Sequence, residues 1–187
     1  MDRRFITAFS SPASVRILGK RLYPFCLKHR VRLLAISSPM VTSGGPGITP
    51  LDLLTAVKVC SEDADMEPSI FELARLKALE IDPAKFKAAV EAFVAYCHID
   101  AWPKYWDGPK TSGSADGAGV PWPLMILTNL IANGIEEQRA WEMPEAQAIW
   151  LSTAFAMRGG AKVNLLTTEE EELMDELRRG ELPTQQG

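Results

Sequence analysis

Apolar side chains recur at spacings of three and four along most of this 187-residue chain, the periodicity of helices that bury one face. The clearest case is residues 140–160, AWEMPEAQAIWLSTAFAMRGG. Met143, Ala146, Trp150, Ala154 and Met157 form one stripe, and Ile149, Leu151 and Phe155 widen it until most of the helix must be covered. Pro144 suits a first-turn position and Glu145 the positive end of the helix dipole, while Arg158, Gly159 and Gly160 supply the stop.

The same signals predict further helices. Pro24 opens an amphipathic segment in which Phe25, Leu27, Val31, Leu34 and Ala35 are apolar and Lys28, Arg30 and Arg32 are not, ending near Ser37-Ser38-Pro39. Thr49-Pro50-Leu51-Asp52 supplies a cap, a first-turn proline and a first-turn acid, with Leu51, Leu54, Val57 and Cys60 on one face beyond it. Residues 69–80 predict a helix with Ile70, Leu73, Leu76 and Leu79 as its apolar row. Asp82 and Pro83 start a longer one whose core face is Phe86, Val90, Phe93, Val94 and Cys97. Ala88, Ala89, Ala92 and Ala95 admit close approach of a neighbour, so these two predict a helix hairpin. Residues 121–134 are apolar nearly all round, which places that helix centrally or under a partner. Finally, Thr168 with Glu171 reads as a capping box, with acids in the first turn and Arg178 and Arg179 in the last.

The helical period fails in three places. Residues 1–14 read as an arm ordered only against something else, residues 15–22 as a short strand or hairpin around Leu18-Gly19, and residues 101–123 as a long polar loop bounded by tryptophans. The expected architecture is therefore mainly α: a compact multi-helix domain with a short N-terminal strand or hairpin and a long polar loop. It divides into an arm at 1–14, a helical domain at 15–166 carrying the loop at 101–123, and an acidic helix and tail at 167–187.

Charge then narrows the partners. Twenty Lys and Arg against 24 Asp and Glu leave a net charge of −4, which argues against nucleic acid held by its phosphates. Arg3, Arg4, Arg16, Lys20, Arg21, Lys28, Arg30 and Arg32 make the N-terminal end basic, whereas residues 167–187 are acidic, so the two ends could pair within or between subunits. No run approaches the roughly 20 apolar residues of a membrane span, and the basic N-terminus lacks a signal-peptide core. Three widely spaced cysteines suggest reduced thiols in a cytoplasm.

Candidate chemistry is sparse. Cys26-x-x-His29 would share a helix face, with Cys97-His98 and Cys60 elsewhere, but the spacing matches no zinc module, and the expectation is neither metal nor cofactor. No oxyanion-hole motif accompanies a Cys–His pair, so no catalytic residue is assigned. The Gly-rich loop at 44–47 lacks the Lys-Ser/Thr of a phosphate loop. What remains is a partner-binding surface formed by Trp102, Tyr105, Trp106 and Trp122 of the loop with Leu127 and Ile131 of the following helix. Its rival is that these residues cover the edge of the core.

Three stretches, VRILGKRLYPFCLKHRVRLLAISSPMV, GGPGITPLDLLTAVKVCS and AWEMPEAQAIWLSTAFAMRGGAKVNLLTTEEEELMDEL, resemble the tail assembly chaperones of tailed bacteriophages. The shared features are a short strand leading to a helix, a TPxDLLxAxxxCS helix and a late MPxxxAxWLxxA region. Residues 61–139 lie outside the resemblance. It implies a non-enzymatic factor in the host cell cytoplasm, a possible homo-oligomer, that binds the tape-measure protein and helps recruit tail-tube subunits. The alternatives are a structural tail or connector subunit of the virion and, third, a metal- or thiol-dependent enzyme.

Overall fold

Three helix starts close as reciprocal caps, and they fix where the chain turns. A computed structural model describes residues 2–10, 15–42, 47–63, 67–97, 101–106 and 120–179. Thr49 and Asp52 cap helix α3 (Pro50–Cys60), and Ser69 and Glu72 cap α4 (Ile70–Ile81), each pair exchanging side chain for backbone N–H. The third cap sits one residue earlier than the sequence suggested. Thr167, not Thr168, pairs with Glu170 at the start of α9 (Thr168–Arg179). Before these come α1 (Arg3–Ser10), β1 (Val15–Ile17), β2 (Lys20–Leu22) and α2 (Leu27–Ala35). Between α4 and α9 run α5 (Pro83–Cys97), β3 (Lys104–Tyr105), α6 (Trp122–Ala132), α7 (Glu137–Glu142), α8 (Glu145–Arg158) and β4 (Leu165–Leu166). The chain is thus mainly helical, as expected, with an N-terminal hairpin and a second, two-residue ladder between β3 and β4.

The hairpin turn needs its glycine. Leu18 and Gly19 both have positive φ, and a Cβ on Gly19 would lie 2.8 Å from the Arg75 guanidinium, which donates to Leu18 O. Ile17 and Leu22 point inward from the two strands.

Helix α2 joins two apolar cores. Its Leu33 packs with Ile17, Leu22, Phe25, Leu53, Val57, Phe93 and Tyr96, whereas its Leu27 packs with Leu127, Leu130, Ala140, Met143 and Ala148. Between them, Arg30 is buried and grips Glu145 through two bonds, Nε to Oε1 at 2.8 Å and Nη2 to Oε2 at 2.7 Å. The hydrophobic pattern had put Arg30 on the polar face and made Glu145 a dipole acid. The pair is instead a buried, bidentate link between α2 and α8, with Phe25 under the guanidinium at 4.8 Å.

Two boundaries differ from the periodic reading for the same reason. Pro24, Phe25 and Cys26 run as an extended strap before α2, and Phe25 O accepts the N–H of Glu145 at 2.8 Å. Cys26 also forms a bridge with Pro144. The stretch at 140–160 is therefore two helices, because proline disfavours a helical residue before it and Met143 is extended.

Residues 3–10 of the expected arm form a helix docked on the chain's own other end. Ala8 joins Ala101, Ala146 and Trp150 in a third small core, and Phe5 meets the Trp150 ring edge-on at 5.6 Å. Arg3 pairs with Glu172 at 2.9 Å, and Arg4 reaches Glu171 at 3.3 Å and Leu166 O at 2.9 Å. The basic and acidic ends thus meet within one chain.

Candidate functional site

The six residues expected to bind a partner do not form one patch. Trp102 and Trp122 come together, rings 5.7 Å apart and edge-on, both within 6 Å of the buried Arg30 guanidinium. Tyr105 belongs to β3, pairs with Leu165, and shares a 2.7 Å hydrogen bond with Thr153. Trp106 donates its backbone N–H to Asn164 O, and its indole sits against Glu170. The Glu170 carboxyl is held below the usual carboxylate range, chiefly by the Thr167 backbone. Leu127 is buried in the second core, which removes it from any surface. Ile131 is part-exposed on the outer side of α6. Loop residues 107–119 lie outside the described residues.

Beside Trp102 opens an apolar crevice of about 350 Å³. One wall is α5, with Ala92, Ala95 and Tyr96; the other is Thr7 and Ala8 of α1 and Ala146 and Gln147 of α8. Exposed Tyr23, with Pro24, Phe25 and Glu145, completes its lining. Four of its polar side chains already have partners in the chain: Thr7 donates to Arg3 O, Tyr96 to Tyr23 O, and Gln147 to Ala8 O, while Glu145 takes Arg30. Such a lining selects by shape and apolarity rather than by hydrogen bonds. The sequence signalled one wall of it. Ala92 and Ala95, expected to receive a neighbouring helix, are exposed, and only Ala89 of that group is packed against the first core.

A second surface went unread. On α4 only Glu72 and Leu79 are buried, so of the apolar row Ile70, Leu73, Leu76 and Leu79 the first two are exposed. Ile70 is 83% exposed and Phe71 80%. With Ala74, Ala78 and Ile81, also exposed, they occupy an arc of roughly 100° on the side away from Leu79. The helix is anchored by charge instead: Glu72 meets Lys20 at 2.7 Å and Lys58 at 3.2 Å, and Lys20 before all else holds its carboxyl down at about 2.

The Cys26–His29 pair is a row rather than an open site. Cys26 Sγ lies 3.4 Å from His29 Nδ1, and His29 Nε2 lies 3.5 Å from Glu62 Oε1. Both Cys26 and His29 are buried. Burial pushes the Cys26 thiol up and the His29 imidazole down to about 4, so the pair is neutral and closed to solvent. Burial likewise raises Cys60, to about 12, and Cys97. No group of three or more His, Cys, Asp or Glu able to hold a metal occurs among the described residues, and His98 lies outside them. No described helix is long and apolar enough to cross a membrane.

Comparison with known proteins returns no match, whether to a family model, to a curated protein or to a solved structure.

Proposed function

We propose that this chain is a non-enzymatic assembly factor of the phage tail chaperone kind, acting in the host cytoplasm. It holds an amphipathic helix of the tape-measure protein until tail-tube subunits replace it. The observation that carries this reading is the crevice beside Trp102, apolar and with Tyr96 and Gln147 already bonded within the chain. A large apolar side chain from a client helix fits its volume and asks nothing of the lining but contact, which suits transient masking of hydrophobic segments. Exposed Tyr23 at the mouth and the Trp102–Trp122 pair beside it provide aromatic anchors of the sort that dominate interface energies.

The test is co-expression with a candidate tape-measure protein, scoring the soluble complex. Ala95→Glu places a carboxylate on the crevice wall at an exposed position and should abolish the complex while leaving the melting temperature near that of the wild type. A wild-type chain that neither binds nor solubilises that client rules the reading out.

A further inference from the structure

Helix α1 sits on the fold as a peptide sits in a receptor groove. Its docking groups come from the far part of the chain: Trp150 meets Phe5 edge-on, Ala101 and Ala146 lie against Ala8, and Gln147 donates to Ala8 O. Glu172 takes Arg3, and Glu171, which Lys104 also holds, takes Arg4. Eight residues are too few to keep a helix in water, so α1 depends on this seat for its form. The fit is loose. Only Arg4 and Ala8 of α1 are buried, while Ile6 and Phe9 stand 48% and 43% exposed. Nε and Nη1 of the buried Arg4 guanidinium have no hydrogen-bond partner among the described residues, Asp2 standing 3.5 Å from Nε. Donors buried unpaired weaken the docking that buries them.

The seat is continuous with the crevice. Ala8 and Ala146 belong both to the third core and to the crevice lining, and Thr7 stands beside Ala8 in the same wall. A helix that fills the crevice and continues past Ala146 toward Trp150 takes the place of α1. We propose that α1 is a resident stand-in for the client helix, displaced when that helix binds, and that the displacing segment repeats its chemistry: a basic pair, an aromatic residue next and a small residue three positions on, as in Arg3, Arg4, Phe5 and Ala8. Each requirement is set by the seat. Glu171 and Glu172 take the basic pair, the Trp150 ring takes the aromatic, and the alanines at 101 and 146 leave room for a small side chain. This displacement presupposes the crevice as the client site, and it lowers the apparent client affinity in proportion to the share of chains whose seat is open.

Nuclear magnetic resonance of the full chain reads the seat, because the Trp150 indole N–H, bonded to Ala101 O at 2.8 Å, lies beside the Phe5 ring and shifts when that ring leaves. Ala8→Glu, at a position 1% exposed, should expel α1, and Phe5→Ser should remove the ring itself. The probe is a peptide of residues 1–10. Added to the Ala8→Glu chain, it should return the Trp150 signal to its wild-type position, with an apparent dissociation constant at least tenfold below that for the wild-type chain, whose tethered α1 competes. The same peptide carrying Phe5→Ser, or Arg3→Glu with Arg4→Glu, should fail to restore the signal. A candidate tape-measure protein bound to the wild-type chain should speed amide hydrogen exchange in residues 5–10 at least tenfold. A Trp150 signal that the wild-type peptide leaves unmoved in both variant chains overturns the proposal. Loss of the native circular dichroism spectrum in both variants also overturns it, since α1 would then be part of the core. Client binding with exchange in residues 5–10 unchanged overturns the displacement and leaves the client reading standing, whereas a wild-type chain that binds no client overturns both.

Discussion

Helices α6 and α4 are almost equal in length, and each carries more apolar side chains than one buried face requires, yet they are used in opposite ways. Helix α6 has neighbours on several sides, in α2, α7 and α8, and buries Pro123, Leu127 and Leu130 among them. Its surplus, Trp122, Met125 and Ile131, is only part-exposed. Helix α4 lies at the edge, against α3, α5 and the hairpin, and is held there by Glu72 between two lysines and by Leu79. Its surplus faces water almost completely. An apolar stripe states what should be covered; where the neighbours lie around the helix decides whether this chain covers it. Where it does not, the stripe is available to another molecule.

The comparison can be broken most severely at the junction that holds the α6 side in place. Replacing Arg30 by Met leaves Glu145 buried without its partner and should cost about 3–5 kcal/mol in chemical unfolding, enough to threaten the fold. Leu130→Ala, at a fully buried position on α6, should cost about 3 kcal/mol. If either change is tolerated within experimental error, the α2–α6–α8 packing described above is wrong.

A pH series sharpens the same contrast without a large change in packing. The buried His29 imidazole accepts a proton only near pH 4, whereas in the unfolded chain it does so near 6.5. Between those values the unfolded state binds the extra proton, so stability falls as the pH drops from about 6.5 to 4, by roughly 3 kcal/mol at most. His29→Phe should flatten that part of the profile. The depressed Glu72 carboxyl adds a further loss as the pH falls from about 4.5 toward 2, and Glu72→Gln should remove it. A smaller effect tests the revised start of α9. Thr167→Ala should cost about 1 kcal/mol through the lost cap, and Thr168→Ala clearly less.

Much of the fold was legible because caps and breakers act locally. Thr49 with Asp52, Ser69 with Glu72 and Asp82 before Pro83 all start helices where the sequence placed them. The misplacements come from contacts between distant segments. Nothing near Pro24 announces that Phe25 O will bind Glu145 N and hold the strap extended, and nothing near Arg30 names a carboxylate 115 residues away. Of the candidate site, the pairing of Trp102 with Trp122 could be suspected from their flanking positions, whereas the alanines of α5 read as a seat for a neighbouring helix and Ala92 and Ala95 are left open. The outer stripe of α4 could not be separated from its inner one, because Ile70, Leu73, Leu76 and Leu79 satisfy a helical period as well as Ile70, Phe71, Ala74, Ala78 and Ile81 do.

The central claim is that the apolar side chains of α4 split into a face that stabilises this fold and a face that does not. The most direct measurement is the unfolding free energy of the double variant Ile70→Ser and Phe71→Ser, taken in denaturant at a concentration where the wild type is monomeric, so that self-association adds no stability. The account predicts a change within about 0.5 kcal/mol of zero, as for other surface substitutions. A loss of about 2 kcal/mol or more would place both side chains in the core and contradict it.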